Sequence, residues 1–336
     1  MPRKPAIDPV RWTPPPIDPL PDFGPAELTV VPVPGEGPED VVVDASGQLW
    51  TGLVDGRIVR LTPDGDAVVV ADTGGRPLGL HVARDGRVLI CDSHRGLLAL
   101  DPGSGTLETL VADINGRPLR FCSNVTETAD GTLYFTESTS EFHFEHFAGA
   151  VLEARARGGL FRLDADGAVT TVLEGLYFAN GVTTTADESA LVFAETQGRR
   201  LSKYWLRGPR AGTVTPLAVH LPGYPDNIST GADGRIWVAM VSPPNAAAET
   251  LAPRAPLLRK VLWRFPERLR PTIRPQVWVL AFDADSGEVR TGVRTRRPDF
   301  GTVTGVAESA GRLWMSTIAF PALAYAELDS SANIQF

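Results

Sequence analysis

The residues best suited to chemistry are carboxylates and carboxamides that recur at one place in the chain. Counted back seven or eight positions from Gly47, Gly131, Glu188 and Gly234 stand Glu39, Asn124, Asn180 and the pair Asp226–Asn227. Two further repeats place Leu78/Gly79 and Val303/Thr304 there. Oxygen donors of this mixed kind suit a hard cation, Ca2+ above all, which takes ~6–8 oxygens and leaves room for water or substrate. No sulfur accompanies them and no histidine begins these strands, which argues against zinc, although Zn2+ or Mn2+ could replace Ca2+. Singly, Asn and Asp are common turn residues that bond their own backbone. Their recurrence in one register, between apolar flanks, points to a shared metal site.

The elements that position them are hairpins. In 222–234, Asp226 and Asn227 open a strand that runs to an Asp233-Gly234 turn and returns through Ile236–Met240. Asp-Gly between apolar runs is a strong hairpin signal. The unit recurs at turn positions 47, 86, 131, 188, 234 and 311, spaced 39, 45, 57, 46 and 77. A period near 40–50 with four short strands per unit marks a propeller blade. The expected fold is therefore all-β, a six-bladed β-propeller, with Leu28–Val31 adding the outer strand of the last blade and closing the ring. The domain reading is a Pro-rich N-terminal arm (1–27), the propeller (28–330) and a short tail (331–336). The two long spacings place insertions at about 140–157 and 243–275, both after a return strand and so on one face. They suit a lid over the centre. The second is Ala-rich and then basic (Arg254, Arg259, Lys260, Arg264, Arg268, Arg270, Arg274), a combination that could also touch a membrane surface.

Composition agrees with a turn-rich β-protein. The 33 Gly and 29 Pro form about 18% of 336 residues, against roughly 12% on average. A net charge of −8 argues against a nucleic-acid partner. No apolar run reaches the length of a membrane span, and the basic N-terminus lacks the apolar stretch of a secretory signal. The expectation is a cytoplasmic monomer acting on a small molecule. Cys91 and Cys122 fit no metal spacing and read as buried small residues.

Several other residues are candidates for the substrate pocket. His81 lies on the inner strand of the second repeat, facing the channel or packing between blades. His94 is either a base near the site or a packing residue, and packing is favoured. Phe142, His143 and His146 belong to the first insertion and could line a pocket. Tyr224 precedes the Asp226–Asn227 pair, and Thr304 begins the last inner strand. Glu137 and Glu195 end return strands, where pairing with arginines between blades is expected.

With these residues in place, the chain resembles the calcium-dependent six-bladed propellers: gluconolactonase/regucalcin, diisopropylfluorophosphatase, paraoxonase and the strictosidine-synthase-like proteins. It is most similar to the last branch, through Gly37-Pro-Glu-Asp, Cys91-Asp-Ser-His-Arg-Gly-Leu, Tyr134-Phe-Thr-Glu-Ser, Ala194-Glu-Thr and Leu221-Pro-Gly-Tyr-Pro-Asp-Asn-Ile. The resemblance implies that Glu39, Asn124, Asn180 and Asp226 hold a catalytic Ca2+, with Asn227 beside them. It also implies that Asp226 acts as nucleophile or as base through water, and that Asn124 belongs to the catalytic set. The activity implied is hydrolysis of a lactone or related carboxylic ester, expected to be a hydrophobic one because the apolar residues of the two insertions would select an acyl or aryl group. Alternatives are a phosphotriesterase, a carbon–nitrogen bond-forming enzyme of Pictet–Spengler type, or a non-catalytic propeller with a structural calcium. Where strictosidine synthase carries its glutamate, this chain aligns Thr304, with Glu308 four residues further on. A threonine cannot take a proton from an amine at neutral pH, which disfavours the condensation chemistry.

Overall fold

All six turn positions found in the repeat have left-handed backbone. Gly47, Gly86, Gly131, Gly234 and Gly311 have φ between 75° and 88°, and Glu188 has 53°. This region suits glycine, which has no Cβ to clash. The computed structural model describes residues 4–21, 23–265 and 275–329. From each turn the chain builds a four-stranded antiparallel sheet, and six such sheets form the blades of the propeller. The inner strands are Val42–Val43, Pro77–Val82, Cys122–Glu127, Ala179–Thr184, Tyr224–Thr230 and Val303–Ser309. We number the blades 1 to 6 in that order.

Burial explains the strand patterns. Val88–Asp92, Leu133–Glu137 and Val277–Phe282 are buried along their whole length, because both faces of a middle strand meet neighbouring blades. The outer strand Ala67–Asp72 contains no buried residue. Trp50 and Trp237, each three residues after a turn glycine, are almost wholly buried. The Trp237 Nε1–H donates to Glu308 Oε2 at 2.7 Å across blades 5 and 6. The ring closes through Thr29–Pro32, which pairs with Ala322–Glu327 as the outer strand of blade 6. Closure of this kind leaves only short, protected edges.

Both insertions rise on one face. The first contains a 3-10 turn, Phe144–His146, and helix α1, Phe147–Glu153; the second contains α2, Ala246–Leu251, and α3, Pro256–Arg264. Phe142, Ala150 and Trp263 from the insertions share a core with Leu78, Phe121 and Phe178, which adjoin the starts of inner strands, and with Ile7 of the arm. The insertions therefore cap the ring. Arg268, Arg270 and Arg274 of the basic stretch, and the tail 331–336, lie outside the described residues.

The N-terminal arm threads this cap. Val10 N–H donates to Glu153 O at 3.0 Å, Trp12 N–H to Ala252 O at 3.2 Å, and Trp263 Nε1–H to Pro5 O at 2.7 Å. Arg259, basic by sequence yet buried, donates to Leu152 O (2.8 Å), Ala252 O (3.1 Å) and Val10 O, so one guanidinium joins α1, α2 and the arm. A cation on the last carbonyls of α1 also suits the helix dipole. Further on, Asp18 N–H donates to His220 O at 2.9 Å and Arg294 N–H to Gly24 O at 3.0 Å, as the arm passes down blade 5 toward its strand. Among the described residues no helix is long and apolar enough to cross a membrane.

Candidate functional site

A bulge at the start of the inner strands of blades 2 to 6 aims two consecutive side chains at the ring axis. In blade 5 Pro225 pairs with Met240 and Ile228 with Val238, so Asp226 and Asn227 together oppose one residue. The same slip separates Pro77 from Leu80, Cys122 from Val125, Ala179 from Val182 and Val303 from Val306. A bulge breaks the alternation of a flat strand and re-aims side chains. Strict alternation would have sent Asp226 and Asn227 to opposite faces.

The bulges stack the axis residues in two layers. The first holds Glu39, Leu78, Ser123, Asn180, Asp226 and Thr304; the second holds Asp40, Gly79, Asn124, Gly181, Asn227 and Gly305. In the second layer polar residues alternate with glycines, and the glycines let neighbouring inner strands touch. A Cβ on Gly181 would lie 2.5 Å from Ile228 N and 2.7 Å from Asn227 Cα; one on Gly79 would lie 2.5 Å from Asn124 Nδ2. The obstacle at Gly181 is backbone, which cannot yield locally. Gly181→Ala is expected to destabilise the fold by about 3 kcal/mol, the upper range of overpacking, and to displace Asn227; thermal and urea denaturation would measure it.

The structure brings together all five predicted ligands. Asn180 Nδ2 donates to Asp226 Oδ1 at 2.5 Å and to Thr196 Oγ1 at 3.1 Å. Asn124 Nδ2 donates to Asn227 Oδ1 at 3.0 Å, and Asn227 Nδ2 donates to Glu39 Oε2 at 3.2 Å. Ser123 Oγ donates to Asn180 Oδ1 at 3.1 Å. Glu39, Asn124, Asn180, Asp226 and Asn227 are each at most 7% exposed. Asn124 belongs to the second layer and Asn180 to the first, a one-residue difference hidden in a count of seven or eight.

Three carboxyls share this dry centre. Burial, reinforced by the charges of Asp226 and Asp40, pushes Glu39 well above the carboxylate range, against the field of Arg76 and the Asn227 bond. Burial pushes Asp226 up to about 8, opposed by the Asn180 bond and helped by Asp40. Burial likewise raises Asp40 to about 7, opposed by the Leu80 and Val41 N–H groups, both at 2.9 Å. Three buried carboxyls without a direct ion pair among the described residues are an unfavourable arrangement for the protein alone. A divalent cation set between Glu39 and Asp226 would relieve it, and the carboxamide oxygens of Asn124, Asn180 and Asn227 are the donors such an ion takes. The residues fit the ion.

The other predicted pocket residues have these partners. Thr304 Oγ1 donates to Glu39 O at 2.6 Å and Ser316 Oγ to the same oxygen at 2.8 Å, so Thr304 ties blade 6 to blade 1. Glu308 is occupied by Trp237, and blade 6 brings no carboxylate to the axis. Phe142, 1% exposed, is turned into the core of the cap. Tyr224 OH donates to Glu249 Oε1 at 3.2 Å, and Glu249 Oε2 lies 3.3 Å from Arg199 Nη1, which anchors α2 to the ring. His94 stacks on His143 with ring centroids 4.4 Å apart and lies 3.2 Å from Glu145. His143 meets Ser93 O with Nδ1 at 2.6 Å and Arg120 Nη1 with Nε2 at 3.2 Å. A carbonyl only accepts and a guanidinium only donates, so the proton of His143 is assigned to Nδ1. His146 meets Trp263 edge-on. His81 makes no bond to the ligand cluster; burial and Arg84 hold its pKa down at about 4. Glu137 pairs with Arg117 at 2.7 Å and Glu195 with Arg200 at 2.6 Å.

Sequence reasoning passed over Asp40 and Arg76. The signal for Asp40 was present, since it stands seven before Gly47 as Asn124 does before Gly131. Arg76 carried none, because its place beside Glu39 is set by the packing of blade 2 on blade 1.

Residues 34–274 match the SMP-30/Gluconolactonase/LRE-like region. The chain belongs to that family. Among relatives it is 37% identical over 231 residues to the protein strictosidine synthase-like 6 of Arabidopsis thaliana, covering 67% of this chain and 61% of the relative's length. The family's fold is seen in a gluconolactonase from Xanthomonas campestris, at 19% identity with a TM-score of 0.65 over 96% of this chain and 97% of that one. A calcium-binding regucalcin from Agrobacterium tumefaciens superposes with a TM-score of 0.63 at 17% identity, over 91% and 95% of the two chains. These likenesses to solved structures concern the fold alone. The six-bladed family architecture is thus shared by this chain.

Proposed function

We propose that this member of the SMP-30/gluconolactonase family is a Ca2+-dependent hydrolase of lactones or related carboxylic esters. The observation that carries this reading is the convergence of Glu39 and Asp226, both buried and without a direct ion pair among the described residues, with three asparagines on one axis under a cap. Glu39, Asn124, Asn180 and Asp226 would hold the ion, with Asn227 beside them. When bound, Ca2+ supplies Lewis-acid polarisation of the ester carbonyl and neutralises the oxyanion that forms there.

The chain's own residues do the rest. Asn180 fixes Asp226 by donating to Oδ1, which leaves Oδ2 to take the proton of an attacking water. Asn227 is fixed between Asn124 and Glu39, so the cluster keeps its shape without reorganising. Phe144 and the residues packed on Leu78, Phe121 and Phe178 restrict water above the ring. Blade 6 offers no carboxylate to serve a condensation of amine with aldehyde, which favours hydrolysis over that alternative. A panel of lactones, aryl esters and phosphotriesters, assayed with added Ca2+ and with chelator, tests the proposal. Chelator-sensitive turnover of carboxylic esters is expected; turnover unaffected by chelator would contradict it.

A further inference from the structure

Arg76 immediately precedes the inner strand of blade 2, the sector of the ring whose axis residues, Leu78 and Gly79, offer no oxygen side chain. Its side chain is only 5% exposed and is held from two sides. Nη1 donates to Gly37 O at 3.1 Å, and the guanidinium lies 4.7 Å from the centroid of the Phe144 ring in the cap. The opposite edge is different. Nε is buried with no hydrogen-bond partner, and among the described residues Nη2 has no bond and no carboxylate within ion-pair distance. The Nε–Nη2 edge carries two parallel N–H donors, the geometry that grips a planar carboxylate. Leaving the charged Nε donor buried and unpaired is unfavourable, so this edge is best explained by a ligand.

We infer that Arg76 is a specificity residue whose Nε–Nη2 edge binds a carboxylate carried by the substrate, so that the preferred esters or lactones are acidic ones. The inference rests on the hydrolase reading above and narrows it to a substrate class. Two parallel donors match the two oxygens of a planar carboxylate. The contact of Arg76 with Phe144 places the bound group at the joint between ring and cap.

The test uses two 4-nitrophenyl esters of equal chain length, the monoester of glutaric acid and the ester of pentanoic acid, with wild type, Arg76→Met and Arg76→Lys. Wild type should prefer the acidic ester. Both variants should raise its KM by about 10- to 100-fold more than that of the neutral ester, the loss expected for a charge-assisted pair; any loss of stability or of Ca2+ affinity falls on the two esters alike and cancels in that ratio. Equal loss on both esters would show a scaffold role and overturn the inference, as would no wild-type preference. If neither ester is turned over, the hydrolase reading fails on its own. Calorimetry with glutarate then decides Arg76 separately: binding by wild type that is lost in Arg76→Met supports the assignment, and equal or absent binding refutes it.

Discussion

Asp226→Asn protein should fold normally and hydrolyse esters at least about a thousandfold more slowly than wild type, the order of loss seen when a central catalytic group is removed. The substitution is close to isosteric, and an amide oxygen at position 226 can still accept the bond that Asn180 donates to Oδ1. What disappears is the charge, and with it both a ligand of the ion and the acceptor for the water proton. Removing a charge from a site that is 7% exposed also removes a repulsion with Glu39. In the presence of chelator the variant should therefore melt no lower than wild type, because a buried carboxylate without its cation is a liability. Circular dichroism and steady-state kinetics on the same preparation separate the two effects. Near-wild-type turnover in a well-folded variant would remove Asp226 from the mechanism.

Chelated wild-type protein should lose stability as pH rises from about 4 to about 8. Asp40, at about 7, and Asp226, at about 8, both lie above their ordinary carboxyl values, and Glu39 is also raised. A raised folded-state pKa means that the folded protein keeps protons the unfolded chain has already released. The stability contributed by the protonated groups is complete below the ordinary carboxyl value of about 4, falls steadily as pH rises above it, and is gone once pH passes the folded values. Arg76 is the cation that acts on Glu39 and does not offset three carboxylates. The melting temperature should fall by several degrees across this window, since each kcal/mol is worth about 2–4 °C in domains of about 150–250 residues. Saturating Ca2+ should flatten the curve by holding the carboxylates ionised. A flat chelated curve would mean that these groups are not forced together.

The architecture was legible because one conformational demand repeats six times. A left-handed turn residue followed by an apolar return strand can be counted without coordinates, and Glu188 was recognised through its neighbours although it is not glycine. The same counting found all five cluster residues. It blurred their two layers, because a bulge inserts one residue where a plain strand alternates, and nothing local in Ala179–Thr184 or Tyr224–Thr230 announces a bulge. The cap was read as two insertions on one face, but its fastening was not. Residues 4–12 read as a Pro-rich arm, and their bonds to Glu153, Ala252 and Trp263 join segments over a hundred residues apart. Phe142 and Thr304 illustrate the remaining limit. An aromatic in an insertion or a hydroxyl at an axis position has the same sequence signature whether it faces substrate or a neighbouring blade.

Elemental analysis decides whether the axis residues grip a single divalent ion. Protein dialysed against Ca2+ and then freed of unbound metal should retain tightly held calcium at about one ion per chain. Asp226→Asn and Glu39→Gln should each retain far less while staying folded. Calcium absent from wild type, or present at the same level in all three proteins, would mean that Glu39 and Asp226 hold no ion.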